Sequence, residues 1–270
     1  MKTIREEKVG KATLRVVETG GGYGGIVILE GKPSVKVDGN DPDALWAELL
    51  SKAAASSPNY FGYGGAINRF SSLFPDGFAS SSYADHERNY KIEAKQFLEA
   101  SVPLESALNG TGHADAIKSV FNKTNLLSPF EKMRVIDCLT SDQAYDFIHG
   151  AAIMASGDTK AGLSKMAKAL KPHDAAKWTA VTYLPFLWRP DSHMFLKPEI
   201  TKDFAERVGH SFFTDYETAI TVDVYEILLD LVRTTEQEIA SLNPQDHIDV
   251  QSFIWIVGAY KDGETSVGEG

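Results

Sequence analysis

The pattern of apolar and polar positions divides the chain into a short β-rich start and a long helical remainder. Residues 11–18 alternate between β-branched and polar side chains, and residues 25–30 form a second short apolar run, which predicts two strands. The glycines of Gly20–Gly25 supply the backbone freedom of a turn between them, and Val35–Val37 would complete a meander. We therefore predict a small β element, a hairpin or meander, over residues 1–40.

From Asp41 onward, helix-start signals precede apolar residues at helical spacing. Asp41 is a capping residue followed by a proline at the first helical position. Ser128–Glu131 has the form of a capping box and predicts a helix that continues to Leu139. Lys197–Glu199 begins another helix, which Gly209 is expected to end.

Two apolar segments near the C-terminus complete the predicted helices. Val222–Leu242 has the stripe of a long amphipathic helix, whereas Ile248–Val257 is apolar throughout and fits a buried helix or a strand. The predicted fold class is mainly α (α+β). It is a helical single domain at residues 41–260, with the N-terminal β element before it and a disordered tail at 261–270.

Composition is that of a soluble globular chain, with 43% hydrophobic and 24% charged residues. No apolar stretch is long enough to span a membrane, and residues 1–30 lack the pattern of a signal peptide. The single cysteine, Cys138, excludes an intrachain disulfide and a thiolate zinc site. A reducing cytoplasm is therefore the expected location.

Charge is distributed unevenly along the chain. The formal net charge is −10, and residues 201–270 hold 4 Lys and Arg against 14 Asp and Glu, so that residues 1–200 are neutral. The first 36 residues carry 7 basic and 4 acidic side chains. This N-terminal part could bind a polyanion, although the composition does not by itself favour a nucleic-acid partner.

Motifs for several kinds of cofactor chemistry are absent from the sequence. It contains no phosphate loop, no dinucleotide-binding glycine motif before a helix, no zinc-protease motif and no kinase signature. The seven histidines show no paired ligand spacing. We therefore expect neither a metal nor another cofactor.

Three segments combine polar groups, glycines and aromatic rings in a way that packing alone does not require. In the first, Tyr60, Phe61 and Tyr63 lie among glycines and precede Asn68 and Arg69. This arrangement fits a wall on which a planar ring stacks. It fits equally a glycine-rich helix entry whose aromatic rings pack inward.

The second segment is a short loop bracketed by prolines. It holds Arg189, Asp191, His193 and Lys197 between aromatic residues, and Lys197 directly precedes a predicted helix. Loops of this kind on a rigid scaffold often carry function, and Lys197 is a candidate anion contact. The alternative is an ion-paired connection between two helices, which fits Asp191 better than the whole set.

The third segment has three polar residues at the start of the most apolar stretch of the chain, namely Asp246, Asp249 and Gln251. A carboxylate against an apolar wall has a raised pKa or requires a partner, which makes it a candidate general base or cation stabiliser. The alternative is that Asp246 caps the helix and Asp249 bonds to the backbone of its first turn. Capping is the stronger interpretation for Asp246, and both remain open for Asp249.

Two stretches, His193–Thr201 with Phe204–Gly209 and Asp249–Trp255, carry a resemblance that extends loosely from about residue 41 to residue 260. In these stretches the sequence resembles a bacterial family of mostly uncharacterised proteins from anti-phage defence loci. The resemblance implies a DNA glycosylase that flips and excises a hydroxymethylated or glucosylated base from phage DNA and leaves an abasic site. The Leu-Pro-Gly-Val-Gly pattern of the common helix-hairpin-helix glycosylases is absent.

A glycosylase of this kind needs aromatic faces for the extruded base, a carboxylate beside the sugar and cations for the phosphates. The expected catalytic residues are Asp249, Asp246 and Gln251, with Asp249 as the carboxylate. The expected substrate-binding residues are Tyr60, Phe61, Tyr63, Asn68, Arg69, Arg189, His193 and Lys197.

Two other functions compete with this hypothesis. One is a non-catalytic protein- or DNA-binding module of a bacterial defence system, which the acidic C-terminal segment favours. The other is a small-molecule hydrolase that uses the same carboxylates. The expected partner of the glycosylase is double-stranded phage DNA, with no membrane association, and a protein partner is the alternative.

Overall fold

The computed structural model describes residues 2–9, 12–29, 31–54 and 60–259. The chain forms two compact units, Met1–Asn68 with Lys202–Tyr216, and Arg69–Thr201 with Glu217–Gly270. The fold is mainly α with a small antiparallel sheet at the N-terminus, which confirms the predicted class. The predicted tail at residues 261–270 lies outside the described residues.

An antiparallel meander forms the sheet of the first unit, and each strand pairs with the next along the chain. One face of the sheet packs on the first helix, α1 (Pro42–Ala54), where Leu14, Val16 and Val27 are buried against Leu49. The strands are β1 (Lys2–Val9), β2 (Ala12–Thr19), β3 (Gly22–Leu29) and β4 (Lys32–Gly39).

The sheet differs from the prediction in two ways. β1 was not predicted, because its side chains from Lys2 to Lys8 are exposed and mostly polar and give no apolar alternation. The predicted turn at Gly20–Gly25 is wrong beyond its first two residues, since the remaining glycines belong to β3. A side chain at Gly25 would place its Cβ 3.0 Å from Leu49 Cδ1, so glycine there allows the helix to approach the strand.

The rest of the described chain consists of helices and the segments that connect them. A π-helical segment, Ala84–Arg88, joins α3 (Ser81–Tyr83) to α4 (Asn89–Ser101), and α10 (Trp178–Trp188) is buried along its whole length. The remaining helices are α2 (Gly62–Leu73), α3 (Ser81–Tyr83), α4 (Asn89–Ser101), α5 (Leu104–Asn109), α6 (Ala114–Asn122), α7 (Pro129–Leu139), α8 (Ala144–Ala155), α9 (Thr159–Leu170), α10 (Trp178–Trp188), α11 (Pro198–Val208), α12 (Phe212–Asp215), α13 (Val222–Glu238) and α14 (His247–Ala259).

The helix starts predicted from the sequence are confirmed. The Asp41 carboxylate accepts hydrogen bonds from two backbone N–H groups of α1, and α7 begins with a complete capping box between Ser128 and Glu131. α14 is a helix, which settles the choice between helix and strand. The prediction of one helix to Leu242 is wrong, because α13 ends at Glu238 and a 3₁₀ turn follows.

None of the helices in the described ranges is both long enough and apolar enough to cross a membrane.

Candidate functional site

The aromatic residues of the first predicted segment pack within the first unit. The Phe61 N–H donates a hydrogen bond to the Arg207 carbonyl at 3.0 Å, and the Arg207 guanidinium lies 5.8 Å from the Phe61 ring. Tyr63 meets Phe204 edge to face, with ring centroids 6.1 Å apart. Tyr60 is also partly buried. These contacts match inward packing, and a role in stacking on a ligand stays a prediction.

Asn68 and Arg69 fall at the boundary between the two units, in α2. Asn68 is an exposed residue of the first unit, and Arg69 is a partly buried residue of the second. Phe70, directly after them, is fully buried and packs with Phe253 of α14, with ring centroids 5.3 Å apart. The predicted contacts of Asn68 and Arg69 with a ligand stay predictions.

The loop between α10 and α11 is anchored to the start of α14, so the second and third predicted segments lie together. The His247 N–H donates to the Pro190 carbonyl at 2.8 Å, and His247 Nδ1 lies 3.0 Å from the His193 carbonyl. His193 itself is buried, and Arg189 is exposed. The loop therefore has a fixed position on α14.

His193 is held in the fold through the Tyr225 hydroxyl. This hydroxyl accepts the Met194 N–H at 3.1 Å and lies within hydrogen-bond distance of His193 Nδ1, at 3.0 Å. Burial lowers the pKa of His193 to about 4, and the nearby positive charge of Arg189 adds to this shift. His193 thus fills a structural role in the described contacts.

Lys197 lies on an aromatic ring at the end of this loop. Its Nζ is 4.5 Å from the ring centroid of Trp255, and the side chain is partly buried. Burial lowers the pKa of the Lys197 amine, and the Glu131 carboxylate offsets part of that shift. Trp255 is the one residue of Gln251–Gly258 that is not buried, so it opens this part of α14 to solvent.

Gln251 lies one helical turn before Trp255, and residues four apart share a face of an α-helix. Its side chain is 5% exposed, and its Oε1 is buried without a hydrogen-bond partner among the described residues. Buried polar atoms in folded proteins nearly always have a partner. A donor from outside the described residues, such as a water molecule or the N–H of a ligand, would supply the missing one.

The negative charge of the Glu131 carboxylate acts on Lys197 and raises the pKa of its amine. Its Oε1 accepts a hydrogen bond from Thr179 Oγ1 at 2.6 Å, and its Oε2 accepts the Ser128 N–H at 2.9 Å. Burial raises the pKa of this carboxyl, but the hydrogen bonds from Thr179 and Ser128 outweigh burial and hold it below its ordinary value. Glu131 is therefore ionised at neutral pH. We call Lys197, Gln251, Trp255 and Glu131 the Lys197 site.

The predicted catalytic aspartates belong to a different cluster, centred on Arg88. The Arg88 guanidinium donates to Asp246 at 2.9 Å and to Asp249 at 2.6 Å. Asp249 has no exposed surface, and its remaining contacts are the Tyr83 hydroxyl at 2.5 Å and the Gln245 N–H at 2.8 Å. Both oxygens of Asp249 are thus occupied by the protein.

Asp246 also caps α14, because its Oδ1 accepts the Ile248 N–H at 2.9 Å. This is the capping role expected for it from the sequence. Asp246 is the more accessible carboxylate of the pair, with 20% of its side chain exposed. Catalytic roles for Asp246 and Asp249 stay predictions.

A second buried ion pair continues the cluster along α4. Lys91 is fully buried, donates to Ser252 Oγ at 2.8 Å and lies 3.4 Å from a Glu87 oxygen. The π-helical segment carries Glu87, which pairs with Lys91, and Arg88, which bonds to the start of α14. The cluster thus ties this segment to α14 through charged groups from both.

Helix geometry separates the three predicted catalytic residues. Asp249 and Gln251 are two positions apart, which places them about 200° apart around the axis of α14. Asp249 therefore faces Arg88 and Tyr83, whereas Gln251 shares the face of Trp255. Asp246 and Asp249 thus lie together at Arg88, and Gln251 lies on another side of α14.

The second unit also contains a cavity between the α5–α6 connection and the start of α8. It has a volume of about 230 Å³ and is lined by Gly110–Ala114, together with Ser141, Asp142, Ala144, Tyr145 and Ile148. His149 stacks on Tyr145 with ring centroids 5.2 Å apart, and no described residue bonds to its buried Nδ1. None of the predicted site residues lines this cavity.

The most important charged partners were not found from the sequence. Arg88 and Lys91 are about 160 positions from the α14 residues that they contact, and no local pattern marks them. Two members of the Lys197 site did have local signals. Glu131 was part of the predicted capping box, and Trp255 ended the third segment.

Among the described residues, no group of three or more His, Cys, Asp or Glu side chains is arranged to hold a metal ion. Comparison with protein families, with curated proteins and with solved structures finds no match to this chain.

Proposed function

We propose that this chain is a DNA N-glycosylase that excises a modified base from phage DNA at the Lys197 site. The observation that carries the proposal is the buried, unpartnered Oε1 of Gln251 on the face of α14 that Trp255 opens to solvent. A carboxamide oxygen in this state accepts an N–H from a ligand, and the exocyclic amino groups of cytosine and adenine are such donors.

The other members of the site fit the needs of base excision. An extruded base is held by stacking on aromatic rings, for which the indole of Trp255 is available. Breaking the bond between C1′ and the base leaves positive charge on the sugar, which an ionised carboxylate stabilises. Glu131 supplies this carboxylate in the proposal, in place of Asp249, which lies on the other side of α14.

The decisive experiment measures abasic sites. Purified protein is incubated with unmodified, hydroxymethylated and glucosylated phage DNA, and alkali then cleaves any abasic sites. We expect strand breaks in one modified DNA and none in unmodified DNA. Intact strands in all three would reject the proposal for these bases. The protein-binding alternative would then take its place, because Phe130 and Met133 are 77% and 53% exposed on α7.

Gln251→Leu separates a ligand role from a structural one. If Oε1 serves a ligand, the substitution removes the base contact and lowers the excision rate by about tenfold or more. It removes no hydrogen bond within the described structure, so the free energy of unfolding should stay the same or rise. Single-turnover rates and urea unfolding measure the two effects.

The matched control is Gln237→Leu, which changes an exposed glutamine of α13. Its excision rate should equal that of the wild type. An unchanged rate in Gln251→Leu, or a loss of stability as large as its loss of activity, would remove Gln251 from the site.

A further inference from the structure

The cavity between the α5–α6 connection and the start of α8 is a candidate site for a small ligand. Its volume is about 230 Å³, and a cavity of about 150 Å³ holds a benzene ring, so this one has room for a bicyclic planar ring. Two of its lining residues, Asp142 and Tyr145, are exposed, which places its mouth at the surface. No residue of the Lys197 site or of the cluster centred on Arg88 lines it.

Tyr145 supplies the cavity with an aromatic wall that is already fixed in place. His149 stacks on its ring at an interplanar angle of 24°, and Lys165 Nζ lies 5.8 Å from the ring centroid. Lys165 is itself held by the Asp146 carboxylate at 2.6 Å. The Tyr145 ring is nevertheless 42% exposed, so it can pack against a planar ligand without a further loss of rotamer freedom.

His113, another lining residue, supplies a hydrogen-bond acceptor. Its Nε2 lies 3.1 Å from the Ser106 carbonyl oxygen, which can only accept, so Nε2 carries the hydrogen. In the neutral ring Nδ1 is then an acceptor, and no described residue donates to it. Gly110 makes this position of the ring possible, because a Cβ there would lie 3.1 Å from His113 Nε2 and 2.9 Å from the Ser106 oxygen.

The other polar side chains of the lining favour N–H donors over anions. Asp142 supplies a carboxylate, whose described hydrogen-bond partner is Gln143 Nε2 at 3.4 Å. The Ser141 hydroxyl is already occupied, since it donates to the Cys138 carbonyl at 2.8 Å and accepts the Gln143 N–H at 3.1 Å. None of the described residues that line the cavity is Lys or Arg. A carboxylate in such a lining repels a phosphate and accepts two N–H groups that lie side by side.

We propose that this cavity binds a planar heterocycle that presents a ring N–H beside an amino group, the edge that guanine has. These two groups donate to the Asp142 carboxylate, the second amino hydrogen donates to His113 Nδ1, and the ring packs against Tyr145. The open mouth leaves room for a ribose, and the lining has no cation for a phosphate, so the ligand is a nucleoside rather than a nucleotide. Base excision at the Lys197 site does not use this cavity, so the two proposals stand or fall separately.

Calorimetric titration of the full chain with guanosine and inosine tests the proposal. Inosine keeps the ring N–H but lacks the amino group, so it offers Asp142 one donor instead of two. We expect guanosine to bind at least about tenfold more tightly than inosine, and also more tightly than guanosine monophosphate, whose phosphate the carboxylate repels. No binding of guanosine, equal affinities for guanosine and inosine, or equal or tighter binding of the monophosphate would overturn the proposal.

Asp142→Asn removes the charge and one of the two acceptor oxygens. We expect the affinity for guanosine to fall at least about tenfold and the preference over inosine to shrink. Asp137→Asn is the matched control, because it removes the same charge at an exposed position of α7 outside the cavity, and it should bind guanosine like the wild type.

Tyr145→Leu tests the aromatic wall independently of the carboxylate. Leucine keeps an apolar side chain but offers no ring, so the affinities for guanosine and inosine should fall by a similar factor. Wild-type affinity for guanosine in Asp142→Asn or in Tyr145→Leu would mean that guanosine binds outside this cavity, and the proposal would be overturned.

Discussion

The Arg88 guanidinium bonds to two carboxylates at the start of α14, those of Asp246 and Asp249. Only the Asp249 carboxylate is fully shielded from solvent. Asp249 is fully buried, whereas 14% of the Arg88 side chain and 20% of the Asp246 side chain are exposed. A buried pair of charges adds little net stability by itself, but removal of one partner leaves the other charge uncompensated. Arg88 therefore compensates the negative charge of Asp249, which would otherwise be buried without a cation.

Arg88→Leu tests this role at the level of one residue. We expect the free energy of unfolding to fall by about 3–5 kcal/mol, because Asp249 loses its cation while remaining buried. Arg233→Leu is the control, since Arg233 is 60% exposed and pairs with Asp230 on the surface, and its loss should cost under about 1 kcal/mol. Urea unfolding of both variants measures the difference. Similar losses in the two would contradict a buried-charge role for Arg88.

At the scale of elements, α8 and α9 pack unusually closely where two glycines face each other. A Cβ added at Gly162 would lie 2.7 Å from the Gly150 carbonyl oxygen and 2.5 Å from Met154 Cβ. Both contacts are shorter than packed atoms allow, and the backbone of α8 cannot yield without moving the helix. Glycine at 162 is thus a condition for the packing of these two helices.

Gly162→Ala should destabilise the protein by about 1–3 kcal/mol, the usual cost of overpacking a core. The sign is informative, because alanine normally stabilises a helix relative to glycine by about 1 kcal/mol. Gly64→Ala provides the matched control, since Gly64 lies in α2 with nothing within 4 Å of its Cβ position, and it should be neutral or stabilising. Thermal unfolding of both variants measures the sign of each effect.

Elements with local signals were predictable, and elements that depend on distant contacts were not. The cap at Asp41 and the capping box at Ser128 act within four residues, so the sequence alone locates both helix starts. β1 has exposed polar side chains and forms because β2 offers a partner for its backbone. The π-helical segment likewise has no local signature, and its Arg88 is held by residues of α14.

The candidate site shows the same limit. The sequence selected Lys197 and Gln251 from their own segments, but it grouped Gln251 with Asp249 because the two are neighbours along the chain. The helical conformation of α14 separates them, and that conformation was undecided from an apolar run of this length. Glu131 comes near Lys197 only through tertiary structure, since the two are 66 positions apart in the sequence.

At the scale of the whole molecule, charge divides between the two units. The first unit has 10 Lys and Arg against 11 Asp and Glu, and the second has 17 against 26. The Lys197 site belongs to the acidic second unit, where phosphate neutralisation contributes little to DNA binding. Under the proposed function, recognition of DNA at this site would therefore depend on stacking and on contacts with the base, which is the role proposed for Gln251.

The stability of the second unit should fall in mild acid because of His193. The pKa of His193 is about 4 in the folded protein, owing to burial, against about 6.5 for an unperturbed histidine. Between these values the unfolded chain binds the proton and the folded chain does not. Above about pH 6.5 the titration of His193 therefore takes nothing from the free energy of unfolding. As the pH falls, proton binding by His193 in the unfolded chain lowers the free energy of unfolding, by about 3 kcal/mol at pH 4.

His193→Asn removes this titration while keeping an acceptor for the Tyr225 hydroxyl, because an asparagine Oδ1 takes the place of Nδ1. Carboxylates also titrate in this range, so the measured quantity is the difference in unfolding free energy between variant and wild type. The difference at pH 8 sets the baseline, since His193 is neutral in both states there. We expect the unfolding free energy of the variant, relative to that of the wild type, to increase by about 3 kcal/mol as the pH falls from 6.5 to 4. A constant difference across that interval would mean that the folded protein accepts a proton at His193 as readily as the unfolded chain does.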